Sequence, residues 1–98
     1  MSMYGKTYDR YAPVDMQISD YNVPGVPGLT LQQAELSIDI DYLDDDAPYI
    51  DTITIIDSYS AKYTKVTKDH PLGFLLAIMN NDNHLMSSVC EASEANAR

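Results

Sequence analysis

Apolar and polar residues alternate over much of the first two thirds of the chain, and this alternation predicts β-strands. It is short at residues 14–18 and clearest at residues 35–42, where Leu, Ile, Ile and Tyr occupy every second position. It returns at residues 49–57, and residues 60–67 are suited to a further strand. The pattern therefore predicts three or four strands, each with one apolar and one polar face.

The two strongest predicted strands can be aligned by their apolar faces. Placing Ile40 opposite Ile53 and Ile38 opposite Ile55 brings the isoleucines together. A slip of one residue would place an aspartate opposite an isoleucine, and the alternation disfavours that slip. We therefore predict this register for the hairpin that the two strands form.

The segment before the strand at residues 35–42 contains two kinds of local signal. Val-Pro-Gly occurs twice in succession at residues 23–28. Proline followed by glycine is typical of a type II turn, so we expect two consecutive turns. Residues 30–33, Thr-Leu-Gln-Gln, allow two interpretations. They fit a capping box that starts one helical turn, or residues 29–34 form the irregular start of the next strand.

The last third of the chain changes from alternation to helical spacing. Asp69 is a candidate N-cap, Pro71 fits the first turn of a helix, and apolar residues recur at helical spacing over residues 72–79. Residues 80–83, Asn-Asn-Asp-Asn, interrupt the pattern as a turn and offer the next N-cap. A second apolar stripe follows at residues 85–90, so the sequence predicts two helices.

These elements predict a single domain of the α+β class over residues 1–98. We expect an antiparallel β-meander of three or four strands in residues 13–67. Two C-terminal helices in residues 69–95 pack on one face of this sheet. Residues 1–12 form a loosely ordered, tyrosine-rich N-terminal arm. The second face of the sheet is left to solvent or to a partner.

The charge of the chain indicates which kind of partner that second face could bind. Fifteen acidic residues outnumber six basic ones, and the formal net charge is −9. Residues 11–61 contain ten acidic residues and no Lys or Arg. Nucleic acid and anionic membranes repel such a chain, so a partner that recognises its charge is a protein with a basic surface. We expect no direct nucleic-acid binding and no membrane association.

Acidic side chains concentrate on the polar side of strand 35–42 and in the loop after it. Alternate positions on a strand lie ~6.8 Å apart, less than the Debye length of ~8 Å at physiological salt, so the charges add into one field. This surface is either a solvated face, neutralised by Lys62, Lys65 and Lys68, or a partner-binding face that mimics a nucleic-acid backbone. The predicted partner-binding residues are Glu35, Asp39, Asp41, Asp44, Asp45, Asp46 and Asp51.

Tyrosine is the dominant aromatic residue, with eight Tyr against one Phe and no Trp. Tyrosine combines an apolar ring with a polar tip and is enriched at protein interfaces. Four tyrosines fit the edge of the core: Tyr42, Tyr49, Tyr59 and Tyr63. The candidate interface aromatics belong to the arm: Tyr4, Tyr8 and Tyr11. They pack back onto the sheet or dock on another subunit or partner.

The sequence offers no pattern for metal or catalytic chemistry. Residues 44–46, Asp-Asp-Asp, lack the spacing and the glycine of a calcium loop. His70, His84 and Cys90 do not form a zinc pattern. We therefore predict no catalytic residue, no metal site and no cofactor, and we expect that the protein is not an enzyme.

The cellular location is predicted from what the chain lacks. The first residues contain no apolar segment of a signal peptide. The longest apolar run covers residues 72–79, much shorter than the ~20 residues of a membrane span. Because a single cysteine cannot form an internal disulfide, we expect a cytoplasmic protein, located in the host cytoplasm if it is viral.

These features predict a small acidic interaction or inhibitor protein, a nucleic-acid mimic that blocks a basic groove on a nucleic-acid-binding protein or complex. In size and acidity the chain is similar to small proteins that phages deploy against host defences, although it contains no family motif. The alternative is a small structural or assembly protein that forms homo-oligomers through its tyrosine-rich arm. A monomer or a compact homodimer favours the inhibitor, and a large ring or array favours the assembly protein.

Overall fold

The computed structural model describes residues 10–43, 45–57 and 59–98. Four strands are followed by two helices, which confirms the predicted α+β class. The elements are β1 (Val14–Asn22), β2 (Thr30–Asp41), β3 (Ala47–Asp57), β4 (Lys62–Val66), α1 (Phe74–Asn80) and α2 (Asn83–Asn96).

The strands form one antiparallel sheet in the order β1-β2-β3-β4, so each strand pairs with its neighbour in sequence. Helix α1 packs against β3, and α2 packs against β1 and β3. Neither of these two helices is long and apolar enough to cross a membrane. The core between sheet and helices consists of Val23, Leu31, Ala34, Leu36, Ile38, Ile50, Ile53, Val66, Leu75, Leu76, Met79, Leu85 and Val89.

The predicted register of the β2–β3 hairpin is wrong. Ile53 lies opposite Leu36 instead of Ile40. The side-chain period of a strand is two, so a displacement by four residues keeps the same faces together and the apolar pattern cannot distinguish the two registers. The observed register leaves only a short turn outside the ladder and therefore pairs more backbone groups than the predicted one.

A β-bulge interrupts the β2–β3 ladder. Ser37 pairs with Thr52, and the next residue of β2, Ile38, pairs with Ile50. Asp51 is therefore the extra residue on β3. The predicted partner of Ile38 was Ile55. The bulge brings Ile50 to the buried face, although it lies an odd number of residues from the next buried isoleucine of β3. A strict alternation could not have predicted this burial.

The β1–β2 connection has the two consecutive turns that the sequence predicts. The N–H of Val26 donates to the carbonyl of Val23 at 3.3 Å, and the N–H of Leu29 donates to the carbonyl of Val26 at 3.2 Å. The two glycines of the repeat have φ angles of 77° and 81°, as the third position of a type II turn requires. Strand β2 begins at Thr30, so residues 30–33 start the strand and form no helical turn.

The predicted helix start at Asp69 is wrong. Helix α1 begins at Phe74, and Gly73 occupies its N-cap position without a side-chain capping bond. Pro71 disfavours helical backbone at the residue before it, so the helix cannot include that residue without strain. The chain instead passes through tight turns over residues 67–73.

Those turns are closely packed around Gly73. The N–H of His70 donates to the carbonyl of Thr67 at 3.0 Å, and the N–H of Gly73 donates to the carbonyl of His70 at 2.7 Å. A Cβ atom on Gly73 would lie 2.6 Å from the carbonyl oxygen of Lys68 and 2.9 Å from those of His70 and Thr67. The position therefore requires glycine because of a close backbone approach.

Helix α2 begins at the N-cap that the sequence predicts. One carboxylate oxygen of Asp82 accepts hydrogen bonds from the backbone N–H groups of His84, at 3.1 Å, and Leu85, at 3.3 Å. The other accepts the hydroxyl of Tyr21 at 2.7 Å, which ties β1 to the start of α2. This bond lowers the pKa of the Asp82 carboxyl. Burial and the same bond raise the pKa of the Tyr21 hydroxyl.

The Asn80 side chain takes the place of a strand partner at the bulge. Strand β4 pairs with β3 only from Ile53 onwards, so the backbone of Ile50 lies beyond the end of β4. The Ile50 N–H donates to Asn80 Oδ1 at 2.8 Å, and Asn80 Nδ2 donates to the Ile50 carbonyl at 3.1 Å. Asn80 Nδ2 also donates to the carbonyl of Leu76 at 2.8 Å. Asn80 therefore joins α1 to the sheet through two hydrogen bonds, and the third holds its side chain against α1 itself.

The segment before β1 runs along α2. The N–H of Ala12 donates to the carbonyl of Ser93 at 3.2 Å, and the buried Ser93 hydroxyl donates back to the carbonyl of Ala12 at 2.7 Å. Arg10 forms a salt bridge with Glu94 at 3.0 Å. Of the predicted arm, residues 1–9 lie outside the described part of the chain, and residues 10–12 make these contacts.

Candidate partner-binding surface

The helices leave one face of the sheet uncovered, which we call the open face. On β2, Ala34, Leu36, Ile38 and Ile40 are buried toward the helices, so the residues between them point to the other side. Strand pairing assigns the neighbouring residues to the same side. The open face includes Asp15, Gln17, Glu35, Ser37, Asp39, Asp41, Tyr49, Thr52, Thr54 and Lys65.

Two carboxylates of the open face lie on the adjacent strands β1 and β2. Asp15 lies opposite Ser37, whose hydroxyl donates to Asp15 Oδ1 at 3.2 Å. Glu35 lies opposite Gln17 on one side and Thr54 on the other. Asp15 and Glu35 are diagonal neighbours on adjacent strands, about 7–8 Å apart. That distance is no greater than the Debye length of ~8 Å, so their charges act together.

Asp39 and Asp41 continue this row toward the β2–β3 turn, and Asp39 lies opposite Tyr49. Burial raises the pKa of the Tyr49 hydroxyl, and the carboxylates of Asp39, Asp51 and Asp41 raise it further. A negative tyrosinate would be repelled by these carboxylates, which is the physical cause of their contribution. The Tyr49 hydroxyl therefore lies in a region of negative potential at one end of the open face.

The β2–β3 turn carries the next carboxylates. Asp45 and Asp46 are exposed and have φ angles of 59° and 53°, in the left-handed region that a tight hairpin turn requires. The N–H of Leu43 donates to Asp41 Oδ1 at 3.0 Å, which fixes the start of the turn. Asp44 lies outside the described residues. The two described aspartates extend the negative surface beyond the last paired residues of the hairpin.

The structure thus brings together most of the predicted acidic residues and adds Asp15 to them. Asp51 is exposed at the bulge, and its charge helps to raise the pKa of the Tyr49 hydroxyl. Asp15 was not among the predicted residues of the acidic face. Its position between Val14 and Met16 in an alternating segment was the signal that could have placed it there. What the sequence could not supply was the pairing of β1 with β2.

The predicted neutralisation by Lys62, Lys65 and Lys68 is not seen as ion pairs. In residues 10–43, 45–57 and 59–98, the salt bridges are those of Glu94 with two arginines. Lys65 lies on the open face but opposite Thr54, with a whole strand between it and Glu35. The carboxylates of the open face therefore remain available to an external cation.

Three of the four tyrosines assigned to the core edge are exposed instead. Tyr42, Tyr59 and Tyr63 are exposed, and only Tyr49 is half-buried. Tyr42 and Tyr59 lie in hairpin turns, whereas Tyr63 lies opposite Ile56 on the open face, which the helices do not cover. Leu43, in the same turn as Tyr42, is fully exposed. The alternation predicts the side of the sheet but not how far the helices extend over it.

The tyrosines of the predicted arm are only partly described. Tyr4 and Tyr8 lie outside the described residues. Tyr11 is half-buried, with the guanidinium of Arg10 5.1 Å from its ring centroid. The proposed role of these aromatics in contacts between subunits stays a prediction.

The described residues contain no cluster of three or more His, Cys, Asp or Glu side chains arranged to hold a metal ion. His70 Nδ1 accepts the backbone N–H of Leu72 at 3.0 Å, so this imidazole supports the turn before α1. His84 is exposed in the first turn of α2, and Cys90 is half-buried on the same helix. The acidic open face is therefore the surface with the clearest chemical character.

Comparison of the chain with protein-family models, with curated proteins and with solved structures finds no match.

Proposed function

We propose that this protein is a small acidic interaction protein whose open face occupies a basic groove on a nucleic-acid-binding protein and thereby inhibits it. The observation that carries the proposal is the one-sided placement of charge. Asp15, Glu35, Asp39 and Asp41 share the face that the helices leave uncovered. Among the described residues of that face, Lys65 is the one basic side chain.

The concentration of charge argues against a purely solubilising role. Solubility requires net charge spread over the surface, not like charges on adjacent strands. Carboxylates that lie within a Debye length repel one another and reduce the stability of the fold. A partner with Lys and Arg in a groove would relieve this repulsion on binding. Such grooves are typical of proteins that bind a nucleic-acid backbone.

The exposed turn next to the face supports a protein partner in particular. Tyr42 and the fully exposed Leu43 follow Asp41 directly, at the start of the β2–β3 turn. Exposed tyrosine and leucine beside a charged surface contribute apolar area that a protein partner can bury. The charged face supplies orientation and association rate, and the apolar turn supplies additional contact.

The test is capture of binding proteins from a lysate of the native source with two matched variants. One variant, Asp15→Asn with Glu35→Gln, removes two negative charges from the open face. The control, Asp20→Asn with Glu91→Gln, removes two charges from exposed positions outside it. Both start from a net charge of −9, so they differ only in where charge is lost.

The proposal predicts that wild type and control retain the same nucleic-acid-binding protein. The open-face variant retains clearly less of it, and duplex DNA elutes it from the wild type by competition. Equal retention by both variants, or elution that DNA does not affect, would contradict the proposal. If the bait retains only other copies of this chain, the alternative is favoured, namely an assembly protein that forms homo-oligomers.

A further inference from the structure

A groove lies at the edge of the open face, where β3 and β4 separate. Pairing of β4 with β3 ends at Ile53 and Val66, and the bulge places Asp51 just beyond that point. The groove has a volume of about 530 Å³. Its lining includes Tyr49, Asp51, Lys68, Asp69 and Leu76.

The groove combines an apolar base with charged sides. Leu76 is almost completely buried and contributes apolar surface at the bottom. Tyr49 is half-buried and belongs to the lining of the groove. Asp51 and Asp69 are exposed at the rim, and Lys68 is the basic residue among the lining side chains.

The electrostatic environment of the groove is negative at the end nearest Tyr49. The carboxylates of Asp39, Asp41 and Asp51 all act on the Tyr49 hydroxyl. In the described part of the chain, none of these carboxylates has a salt-bridge partner. A cation that enters the groove along the Tyr49 ring therefore meets several carboxylates. Lys68, which also lines the groove, repels such a cation.

We infer that this groove receives an arginine side chain of the basic partner. The inference rests on the proposed function, and it names the anchoring contact. A guanidinium is planar, stacks on an aromatic ring and binds a carboxylate with two parallel hydrogen bonds. Tyr49 offers the ring, and Asp51 offers the carboxylate. The apolar base, with Leu76, accommodates the aliphatic part of the side chain.

Arginine fits these features better than lysine. A lysine ammonium is strongly hydrated, does not present a flat surface to a ring, and binds a carboxylate through a single point of charge. A half-buried tyrosine beside a carboxylate is therefore a preferential site for a guanidinium. Non-specific attraction to a protein of charge −9 would act equally on arginine and lysine. A preference for arginine therefore distinguishes binding in the groove from such attraction.

The experiment is an NMR titration of the full chain with two blocked tripeptides, acetyl-Gly-Arg-Gly-amide and acetyl-Gly-Lys-Gly-amide. The arginine peptide should shift the amide resonances of residues 49–52 and 67–69 more than those of the rest of the open face. The lysine peptide should bind several-fold more weakly there. Asp51→Asn should weaken arginine binding about tenfold, because it removes a charge-assisted pair.

Two further variants test whether the charges that line the groove control arginine binding. Lys68→Gln should strengthen arginine binding, because it removes the opposing cation, whereas Glu91→Gln on α2 should leave it unchanged. Equal binding of both peptides, shifts spread over the open face, or a Lys68→Gln variant that binds more weakly would overturn the inference.

Two variants distinguish an error in the arginine site from an error in the proposed function. If the captured partner is lost from the Asp15→Asn, Glu35→Gln variant but is unaffected by Asp51→Asn, the open face binds the partner and the groove does not anchor it. If neither variant affects the partner, both the proposed function and the inference are wrong.

Discussion

The Asn80 side chain gives the sharpest test of how the helices are attached to the sheet. It forms three hydrogen bonds, two with the backbone of Ile50 and one with the carbonyl of Leu76. Asn80→Ala removes all three and leaves the part-buried N–H and carbonyl of Ile50 without their partner. We expect this variant to be clearly destabilised.

The magnitude follows from the number of bonds. Each hydrogen bond contributes about 1 kcal/mol net, so three give about 3 kcal/mol. Alanine has a higher helix propensity than asparagine by about 0.6 kcal/mol, which offsets part of the loss at the end of α1. The expected net loss is therefore about 2 kcal/mol in the free energy of unfolding. For a domain of this size it corresponds to roughly 10 °C in Tm.

The neighbouring residue supplies a matched control. Asn81 is exposed, and its Nδ2 donates only to the carbonyl of Ala77 at 2.8 Å, within its own helical turn. Asn81→Ala makes the same chemical change without touching β3, so its effect should stay within about 0.5 kcal/mol. Urea unfolding followed by circular dichroism measures both. If the two variants lose equal stability, Asn80 does not act as a substitute strand partner.

Four other results are expected. Tyr21→Phe removes the bond that lowers the pKa of Asp82, and it should cost about 1–2 kcal/mol at neutral pH. That bond stabilises the fold above the ordinary carboxyl pKa of about 4 and is lost as pH falls through the lower folded pKa, so unfolding curves of wild type and variant should converge toward pH 2. Gly73→Ala should lose about 1–3 kcal/mol in urea unfolding, since its Cβ would meet three carbonyl oxygens; an unchanged midpoint would contradict this packing. Ser93→Ala should lose about 1 kcal/mol and speed amide exchange at Ala12, and unaltered exchange would show that this contact does not hold the segment. Moderate NaCl should raise Tm in thermal melts if carboxylate repulsion costs stability, whereas a flat or falling Tm would mean that the charges are already compensated.

Much of the fold follows from local pattern. Alternation located β1, β2 and β3, the repeated Val-Pro-Gly predicted the double turn, and the asparagine-rich turn at residues 80–83 contains the N-cap of α2. These features depend on interactions between residues close in sequence. The acidic residues of β2 could be assigned to one face for the same reason, because a strand places alternate side chains on one side.

The features that the sequence did not predict depend on contacts between distant segments. The register of β2 with β3 is fixed by the turn and by the bulge at Asp51, neither of which changes which face is apolar. The late start of α1 is a local exception, since it depends on Pro71 and on tight turns in which Gly73 packs against the carbonyls of residues 67–70. Asp15 joins the acidic face only because β1 pairs with β2. The local sequence pattern does not determine which strands pair or in which register they pair.

The central claim is that the open face recognises a basic partner through its charge. Its most direct test is the affinity of the captured partner for wild type and for the two matched double variants, measured by isothermal titration calorimetry over a series of NaCl concentrations. We predict that Asp15→Asn with Glu35→Gln weakens binding at least about fivefold and flattens its salt dependence, while Asp20→Asn with Glu91→Gln stays within about twofold of wild type. Equal losses in both variants, or a wild-type affinity that salt does not reduce, would contradict the claim.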